Sequence, residues 1–144
     1  MNGFKAIKLS LFYSLRIFYF LIILIRNFLY DIKLIKVKKF KKPVIGVGNI
    51  TTGGTGKTPM VIEIAKILVQ FNIKPVIISR GYKRSSKGTV IVSDNNNILA
   101  SVTKAGDEPL LMANKLKNIP IVVDKNRYRA AQIASSKFDF DVVI

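Results

Sequence analysis

Residues 43–59 read PVIGVGNITTGGTGKTP and carry the clearest fold signal in the chain. The first five residues form a short apolar run, which predicts a buried strand. Residues 49–58 form a loop rich in glycine and threonine, and Pro59 suits the first turn of a helix. This order of strand, glycine-rich loop and helix is typical of a loop that binds phosphate groups.

The loop itself matches a relaxed form of the pattern Gly-x-x-x-x-Gly-Lys-Ser/Thr, with Thr51 in the place of the first Gly. Small residues let successive backbone N–H groups surround phosphate oxygens, and the N-terminus of the next helix adds the positive end of its dipole. We expect Lys57 to reach the β- and γ-phosphates of a bound nucleotide and Thr58 to hold Mg²⁺. The residues predicted to bind the nucleotide are Thr51, Thr52, Gly53, Gly54, Thr55, Gly56, Lys57 and Thr58. The alternative is a glycine-rich turn that merely precedes a helix.

Beyond the loop, predicted helices alternate with predicted strands. The helices are expected at 59–71, 108–117 and 126–137, and the strands at 43–47, 75–79, 119–123 and 141–144. Residues 89–93 and 98–102 flank Asp94-Asn95-Asn96-Asn97 and predict a hairpin. The alternation predicts an α/β fold, similar to P-loop NTPases, with a mainly parallel sheet and flanking helices. Because no loop follows the last strand, we expect an incomplete domain.

Residues 1–42 differ in composition from the rest of the chain. They carry ten of the 24 basic residues and a single acid, Asp31. Residues 4–30 contain neither Gly nor Pro and predict a long helix. On a helical wheel of about 100° per residue, a basic arc lies opposite a wide apolar face. The basic arc comprises Lys5, Lys8, Arg16, Arg26 and Lys33.

This arrangement favours a helix that lies in a membrane interface. The lysine-rich residues 33–42 then suit an anionic membrane surface, so we expect residues 4–42 to contact it. We divide the chain into a membrane-associated segment, 1–42, and a partial P-loop domain, 43–144. Two alternatives stay open, a helix that spans the membrane and a helix that packs on a soluble core. The longest uncharged run, residues 17–25, is short for a span of about 20 residues.

The composition excludes several kinds of chemistry. The chain has no Cys and no His, which rules out disulfides, a thiol nucleophile and imidazole acid–base catalysis on these residues. A formal net charge of +16 suggests an anionic partner. AT-rich coding would produce a similar excess of Lys, Ile and Asn without selection. We expect no nucleic-acid partner, because the base-rich region coincides with the apolar helix.

Residues 47–59 closely resemble the phosphate loop of the tetraacyldisaccharide 4′-kinases of lipid A biosynthesis. Three further motifs of that family follow in the family's order. They are Ser79-Arg80-Gly81-Tyr82, Ala105-Gly106-Asp107-Glu108-Pro109 and Val123-Asp124-Lys125-Asn126-Arg127. The resemblance covers essentially the whole chain, including the membrane-associated helix at its N-terminus.

The resemblance implies an ATP-dependent lipid kinase at the cytoplasmic face of the inner membrane. Such a kinase transfers the γ-phosphate of ATP to the 4′-hydroxyl of a tetraacyldisaccharide 1-phosphate, a lipid A precursor. It implies that Lys57 and Thr58 bind ATP and Mg²⁺, with Lys57 counted as catalytic, and that Asp107 is the catalytic base. The further residues implied to contact substrate or phosphate are Tyr82, Glu108 and Arg127.

Three of these residues also have a purely structural interpretation. Asp107 before Glu108 and a proline is a good helix N-cap signal. Tyr82 could be an ordinary aromatic residue of a loop. Arg127 and Arg129 together could belong to a helix face exposed to solvent. Only the joint order of the four motifs favours the functional interpretation.

The chain departs from the family pattern at its end. The family continues from the strand at 141–144 into an acidic metal-binding motif and a second half that contains a His. We therefore expect a truncated kinase with little activity alone, one half of a two-chain kinase whose second polypeptide carries the rest, or a non-enzymatic remnant. A membrane-associated ATPase switch of the partition or septum-placement type is the alternative class. Its signature Lys is replaced here by Thr52.

Overall fold

The computed structural model describes residues 2–49 and 56–144, with side chains from residue 16 onward. The chain divides into two compact units, Met1–Lys39 and Phe40–Ile144. Helix α1, Asn2–Asp31, makes up most of the first unit, so the predicted long helix is confirmed. After it, the Ile32 N–H donates a hydrogen bond of 3.0 Å to the Phe28 carbonyl.

The end of α1 corrects the predicted basic arc. The assignment of Lys33 to that arc is wrong, because the helix ends at Asp31 and Lys33 takes a left-handed φ of 59°. Arg16 and Arg26 do lie in the helix, and both side chains are exposed. Among the residues that the structure describes, no helix has the length and apolar character needed to cross a bilayer.

A mixed sheet forms the centre of the second unit. Its strands are β1 (Pro75–Ser79), β2 (Val90–Ser93), β3 (Ile121–Val123) and β4 (Val142–Val143). The strand order is β2-β3-β1-β4, in which β1 pairs parallel with both β3 and β4 while β2 pairs antiparallel with β3. The predicted α/β fold with a mainly parallel sheet is therefore confirmed.

Helices cover both faces of this sheet. They are α2 (Lys57–Gln70), α3 (Val102–Ala105), α4 (Asp107–Lys115) and α5 (Arg127–Lys137). Successive strand residues point to opposite faces, so Ile77 joins the core under α2 and α4 while Val76 joins the core under α5. The fully buried Phe140 fills the core on the α5 side.

The predicted strand at 43–47 is only partly correct. Val44 forms one parallel bridge to Val143, and the Ile45 N–H donates to the Val143 carbonyl at 2.8 Å. The prediction that this segment is buried is wrong, since Val44 is exposed. Within the described residues, the segment pairs only with β4 and therefore lies at the edge of the sheet. An apolar segment at a sheet edge can stay exposed to solvent.

The predicted hairpin is also shorter than expected. Asp94 Oδ1 accepts hydrogen bonds from the N–H groups of Asn96 and Asn97, both at 2.7 Å, and these close the turn. The return arm pairs through one bridge, Ser93 to Ile98. The predicted second strand at 98–102 is wrong because Val102 already begins helix α3.

Candidate active site

One edge of the sheet gathers the ends of its parallel strands. Because β1, β3 and β4 are parallel, their carboxyl ends lie along the same edge, and the segment at 43–47 runs parallel to β4. The segments that follow these strands therefore emerge side by side. In open α/β sheets this edge is where ligands bind. It carries the beginning of α2, the loop at 80–88 and the residues after β3.

Gly56 and Lys57 form the junction between the glycine-rich loop and α2. Gly56 occupies the N-cap position with a left-handed φ of 79°, a conformation that glycine adopts without strain. Within the described part of the chain, no side chain caps the start of α2. The first N–H groups of an α-helix have no partner inside the helix itself. Lys57 is exposed and Thr58 is half-buried in the first turn. The predicted phosphate-binding residues Thr51, Thr52, Gly53, Gly54 and Thr55 lie outside the described residues.

A close backbone crossing joins two of the sequence motifs. A Cβ on Gly81 would lie 2.9 Å from the Ala105 carbonyl oxygen, and a Cβ on Gly106 would lie 2.8 Å from the Tyr82 carbonyl oxygen. Both glycines also have positive φ, 67° and 91°. No larger residue fits either position without movement of the backbone. The structure thus brings the loop of Tyr82 against the start of α4, where Asp107 lies.

Hydrogen bonds hold the same loop to α3. The N–H and the hydroxyl of Ser85 both donate to the Thr103 carbonyl at 2.9 Å, and the Ser86 hydroxyl donates to the Lys104 carbonyl. The loop at 80–88 is consequently fixed at both the crossing and the helix. Tyr82 stays 68% exposed within this fixed loop. A fixed backbone with an exposed aromatic side chain suits contact with a ligand.

Asp107 and Glu108 are the first two residues of α4, and both side chains are exposed. Gly106 occupies the N-cap position and no side-chain cap bond forms, so the interpretation of Asp107 as a helix cap is wrong. Its carboxylate is instead open to solvent at the N-terminus of a helix, where negative charge is favoured. A carboxylate in this position is able to accept a proton from a hydroxyl group.

A buried carboxylate, unassigned by the sequence, anchors the end of β3. Asp124 is fully buried and accepts bonds from Arg129 Nε at 2.7 Å and Nη2 at 2.8 Å. It also accepts the Asn126 N–H at 2.8 Å and the Thr89 hydroxyl. The Arg129 hydrogen bonds hold the pKa of Asp124 well below its ordinary value, against the opposing effect of burial. We call these four residues the Asp124 clamp.

The Asp124 clamp lies against the segment that follows β1. The Asp124 N–H donates to the Ser79 carbonyl at 3.0 Å, and Arg84 Nη1 donates to the Val123 carbonyl at 3.2 Å. Arg129 is thus an ion-pair partner, not part of a solvated face. Arg127 begins α5 beside the clamp and is exposed. The sequence signal that points to Asp124 is an acid directly after a short apolar strand.

The described side chains offer few metal ligands. Among them, no cluster of three or more His, Cys, Asp and Glu residues is arranged to hold a metal ion. Mg²⁺ in phosphoryl-transfer sites commonly takes one or two protein oxygens, the remainder coming from phosphates and water. The Thr58 hydroxyl in the first turn of α2 fits that limited role.

The fold and this edge define the class as an α/β protein in which a helix preceded by a glycine begins at the edge of the sheet where ligands of such folds bind. The chain belongs to the tetraacyldisaccharide-1-P 4′-kinase family, since the sequence model of that family matches residues 9–144.

Curated relatives and a solved structure agree with this membership. The tetraacyldisaccharide 4′-kinase of Halothermothrix orenii is 48% identical over 128 residues, which are 88% of this chain and 33% of the relative. That of Desulfotalea psychrophila is 43% identical over 97% of this chain and 40% of its own length. LpxK from Aquifex aeolicus, solved in complex with ATP, is 45% identical with a TM-score of 0.80. The match covers 91% of this chain and 42% of that one. The chain spans 33–40% of the length of these curated relatives.

Proposed function

We propose that these 144 residues supply the nucleotide-binding part of a kinase acting on a lipid A precursor. The reaction is transfer of the γ-phosphate of ATP to the 4′-hydroxyl of a tetraacyldisaccharide 1-phosphate. The observation that carries the proposal is the convergence of the family motifs at one sheet edge, where the Gly81–Gly106 crossing sets Tyr82 against the start of α4. The ATP complex of the Aquifex aeolicus relative supports a nucleotide at this fold.

Each site residue takes a role that its position allows. Lys57 neutralises the β- and γ-phosphates as negative charge builds in the transition state. The Asp107 carboxylate accepts the proton of the sugar hydroxyl while the hydroxyl oxygen bonds to the γ-phosphorus and the bond to the β–γ bridging oxygen breaks, which releases ADP. Glu108 lies next to this base and supports it. Tyr82 and Arg127 contact nucleotide phosphates or substrate from the two neighbouring segments.

Mg²⁺ fits the site through the Thr58 hydroxyl. When bound, the ion would neutralise phosphate charge and fix the orientation of the transferred group. The further ligands would come from phosphate oxygens and water. Lys57 and the N–H groups at the start of α2 bind the same phosphates from the protein side.

The proposed cellular location of the chain rests on its N-terminal helix, α1. We place α1 on the anionic, cytoplasmic face of the inner membrane, where the lipid substrate resides. Phe18, Leu21 and Phe28 are exposed apolar side chains of α1, and Arg16 and Arg26 are exposed cations of the same helix. Apolar contact together with attraction to anionic lipids is the means by which interfacial helices bind.

Nucleotide binding by the full 144-residue chain tests the core of the proposal. Isothermal titration with Mg-ATP is expected to give saturable binding that Lys57→Ala weakens by about tenfold or more, since a charge-assisted phosphate contact is lost. Lys66→Ala is the matched control. It lies in the same helix but forms an exposed ion pair with Glu63 at 2.8 Å. Equal affinities for the two variants, or no binding by the parent chain, would refute the assignment of the loop.

A further inference from the structure

Arg84 lies at the base of the turn that carries Tyr82. The Arg84 N–H donates to the Gly81 carbonyl at 3.4 Å and closes this turn. The tip consists of Tyr82 and Lys83, and Lys83 takes a left-handed φ of 59°. The side chain of Arg84 folds back over Gly81, because a Cβ on Gly81 would lie 2.6 Å from Arg84 Cδ. The glycine therefore makes room for the arginine side chain.

The guanidinium group of Arg84 joins this turn to two other segments. Nη1 donates to the Val123 carbonyl at the end of β3, at 3.2 Å, and Nη2 donates to the Gly88 carbonyl at the end of the loop. Arginine presents donors on both branches of a planar fork, whereas lysine presents all its donors at one nitrogen. Because both terminal nitrogens bond to backbone carbonyls, the contacts favour a role in holding the loop over direct contact with a phosphate group.

The buried part of this guanidinium group has a cost for stability. Arg84 Nε is buried, and within the part of the chain that the structure describes it has no hydrogen-bond acceptor. A buried donor without an acceptor destabilises the folded state. Native proteins tolerate such a departure chiefly at functional sites. The position of Arg84 agrees with this rule, since its loop leaves the sheet at the edge that gathers the motif segments.

We propose that Arg84 is a positioning residue for phosphate transfer, an inference that rests on the proposed function. Its guanidinium group holds the base of the turn against the end of β3 and thereby fixes the place of the Tyr82 ring. Tyr82 is 68% exposed, so packing constrains its side chain little and the backbone beneath it decides where the ring lies. A displacement of about 1 Å in a group that orients the reactants lowers a rate by up to about 10²-fold.

Amide hydrogen exchange of the 144-residue chain tests the positioning of the loop without any enzyme activity. The Ser85 N–H follows Arg84 and bonds to the Thr103 carbonyl at 2.9 Å. Arg84→Lys is expected to raise the exchange rate at Ser85 by about tenfold or more, because the base of the turn is released. Lys87→Gln is the matched control, since it removes an exposed cation from the same loop. Equal exchange rates in the two variants would overturn the proposal.

Steady-state phosphate transfer separates positioning from general support of the fold. The enzyme is a chimera in which this chain replaces the matched segment of the Aquifex aeolicus relative, with ATP and a tetraacyldisaccharide 1-phosphate as substrates. We expect Arg84→Lys and Arg84→Gln to lower kcat alike, by about 10- to 100-fold, while the KM for ATP changes by less than about threefold. Lys87→Gln should leave both constants unchanged. A kcat that falls in Arg84→Gln but not in Arg84→Lys would show that only the charge matters and would overturn the proposal.

A double variant determines whether Arg84 acts through Tyr82. Tyr82→Ala removes the ring, so the addition of Arg84→Lys should lower kcat no further. Two effects on kcat that multiply would overturn the proposal, because they would be independent of each other. A parent chimera that neither binds Mg-ATP nor transfers phosphate defeats the proposed function and this proposal with it. A working parent chimera whose kcat is the same with Arg84→Lys defeats the positioning role alone.

Discussion

Asp124→Asn is the change that tests most sharply how the motif segments are held together. The substitution keeps the size of the side chain but replaces one carboxylate oxygen by an NH₂ group. That group would face donors, since the carboxylate receives two bonds from Arg129, one from the Asn126 N–H and one from Thr89. Asp124 is fully buried, so water cannot restore the lost bonds.

The expected cost follows from this geometry. Breaking a buried ion pair costs about 3–5 kcal/mol, and we take about 2–3 kcal/mol here because the Arg129 side chain is half exposed and can be rehydrated. For a unit of this size the loss corresponds to a fall in Tm of roughly 10–20 °C. The destabilisation is expected to release the β3–α5 junction from the end of β1, because the Asp124 N–H bonds to Ser79.

Thermal unfolding followed by circular dichroism measures this effect. Asp139→Asn is the matched control, since Asp139 also pairs with a cation, Lys74, at 2.6 Å but is 78% exposed. Exposed pairs contribute little to stability. A Tm for Asp124→Asn that equals the Tm of the Asp139→Asn control would show that burial does not strengthen the clamp.

The same clamp predicts how stability depends on pH. Because the pKa of Asp124 in the folded chain lies below its ordinary value, its stabilisation is fully present above the ordinary pKa of an aspartate. The stabilisation is lost as the pH falls through the folded-state pKa. The parent chain should therefore lose stability on acidification relative to Asp124→Asn, whose amide does not titrate. Parallel curves for the two proteins between pH 6 and pH 2 would contradict this prediction.

Three other changes have expected results. Gly106→Ala should destabilise the second unit by about 2 kcal/mol or more, and the control Gly88→Ala by about 1 kcal/mol. Both glycines have positive φ, but only a Cβ on Gly106 would meet a backbone atom. Equal denaturant midpoints for the two variants would argue against the close crossing of Gly81 and Gly106. Asn126→Ala removes the side-chain oxygen that caps α5 by accepting the Arg129 N–H. The free energy of unfolding, measured with urea, should fall by about 1 kcal/mol. Phe28→Ser should weaken binding of the chain to anionic vesicles by about tenfold; sedimentation that is insensitive to this change and to salt would contradict the placement of α1.

The sequence predicted those elements whose signals are local. Helix α5 has its cap residue Asn126 in the chain directly before it, and the structure shows that cap bond at 3.2 Å. Helix α2 follows the glycine-rich loop and begins two residues before the predicted Pro59. The alternation of apolar strands and helices was sufficient to predict the parallel sheet.

The errors arise where distant parts of the chain decide the result. Burial at 43–47 depends on which strands flank that segment, and an apolar pattern does not contain this information. The contact of Gly81 with the Ala105–Gly106 turn joins residues about 25 positions apart, so no local pattern reveals it. Asp124 stood in a quoted motif, but only the structure brings Thr89 and Arg129 to its carboxylate.

We propose that this sheet edge is one part of a kinase active site with Asp107 as its base. The most direct measurement is phosphate transfer from labelled ATP to a tetraacyldisaccharide 1-phosphate by a chimera in which this chain replaces the matched segment of the Aquifex aeolicus relative. We expect Asp107→Asn to lower the transfer rate by about 10²–10⁴-fold while the affinity for ATP is retained. Transfer by Asp107→Asn at the rate of the parent chimera would show that Asp107 is not the base.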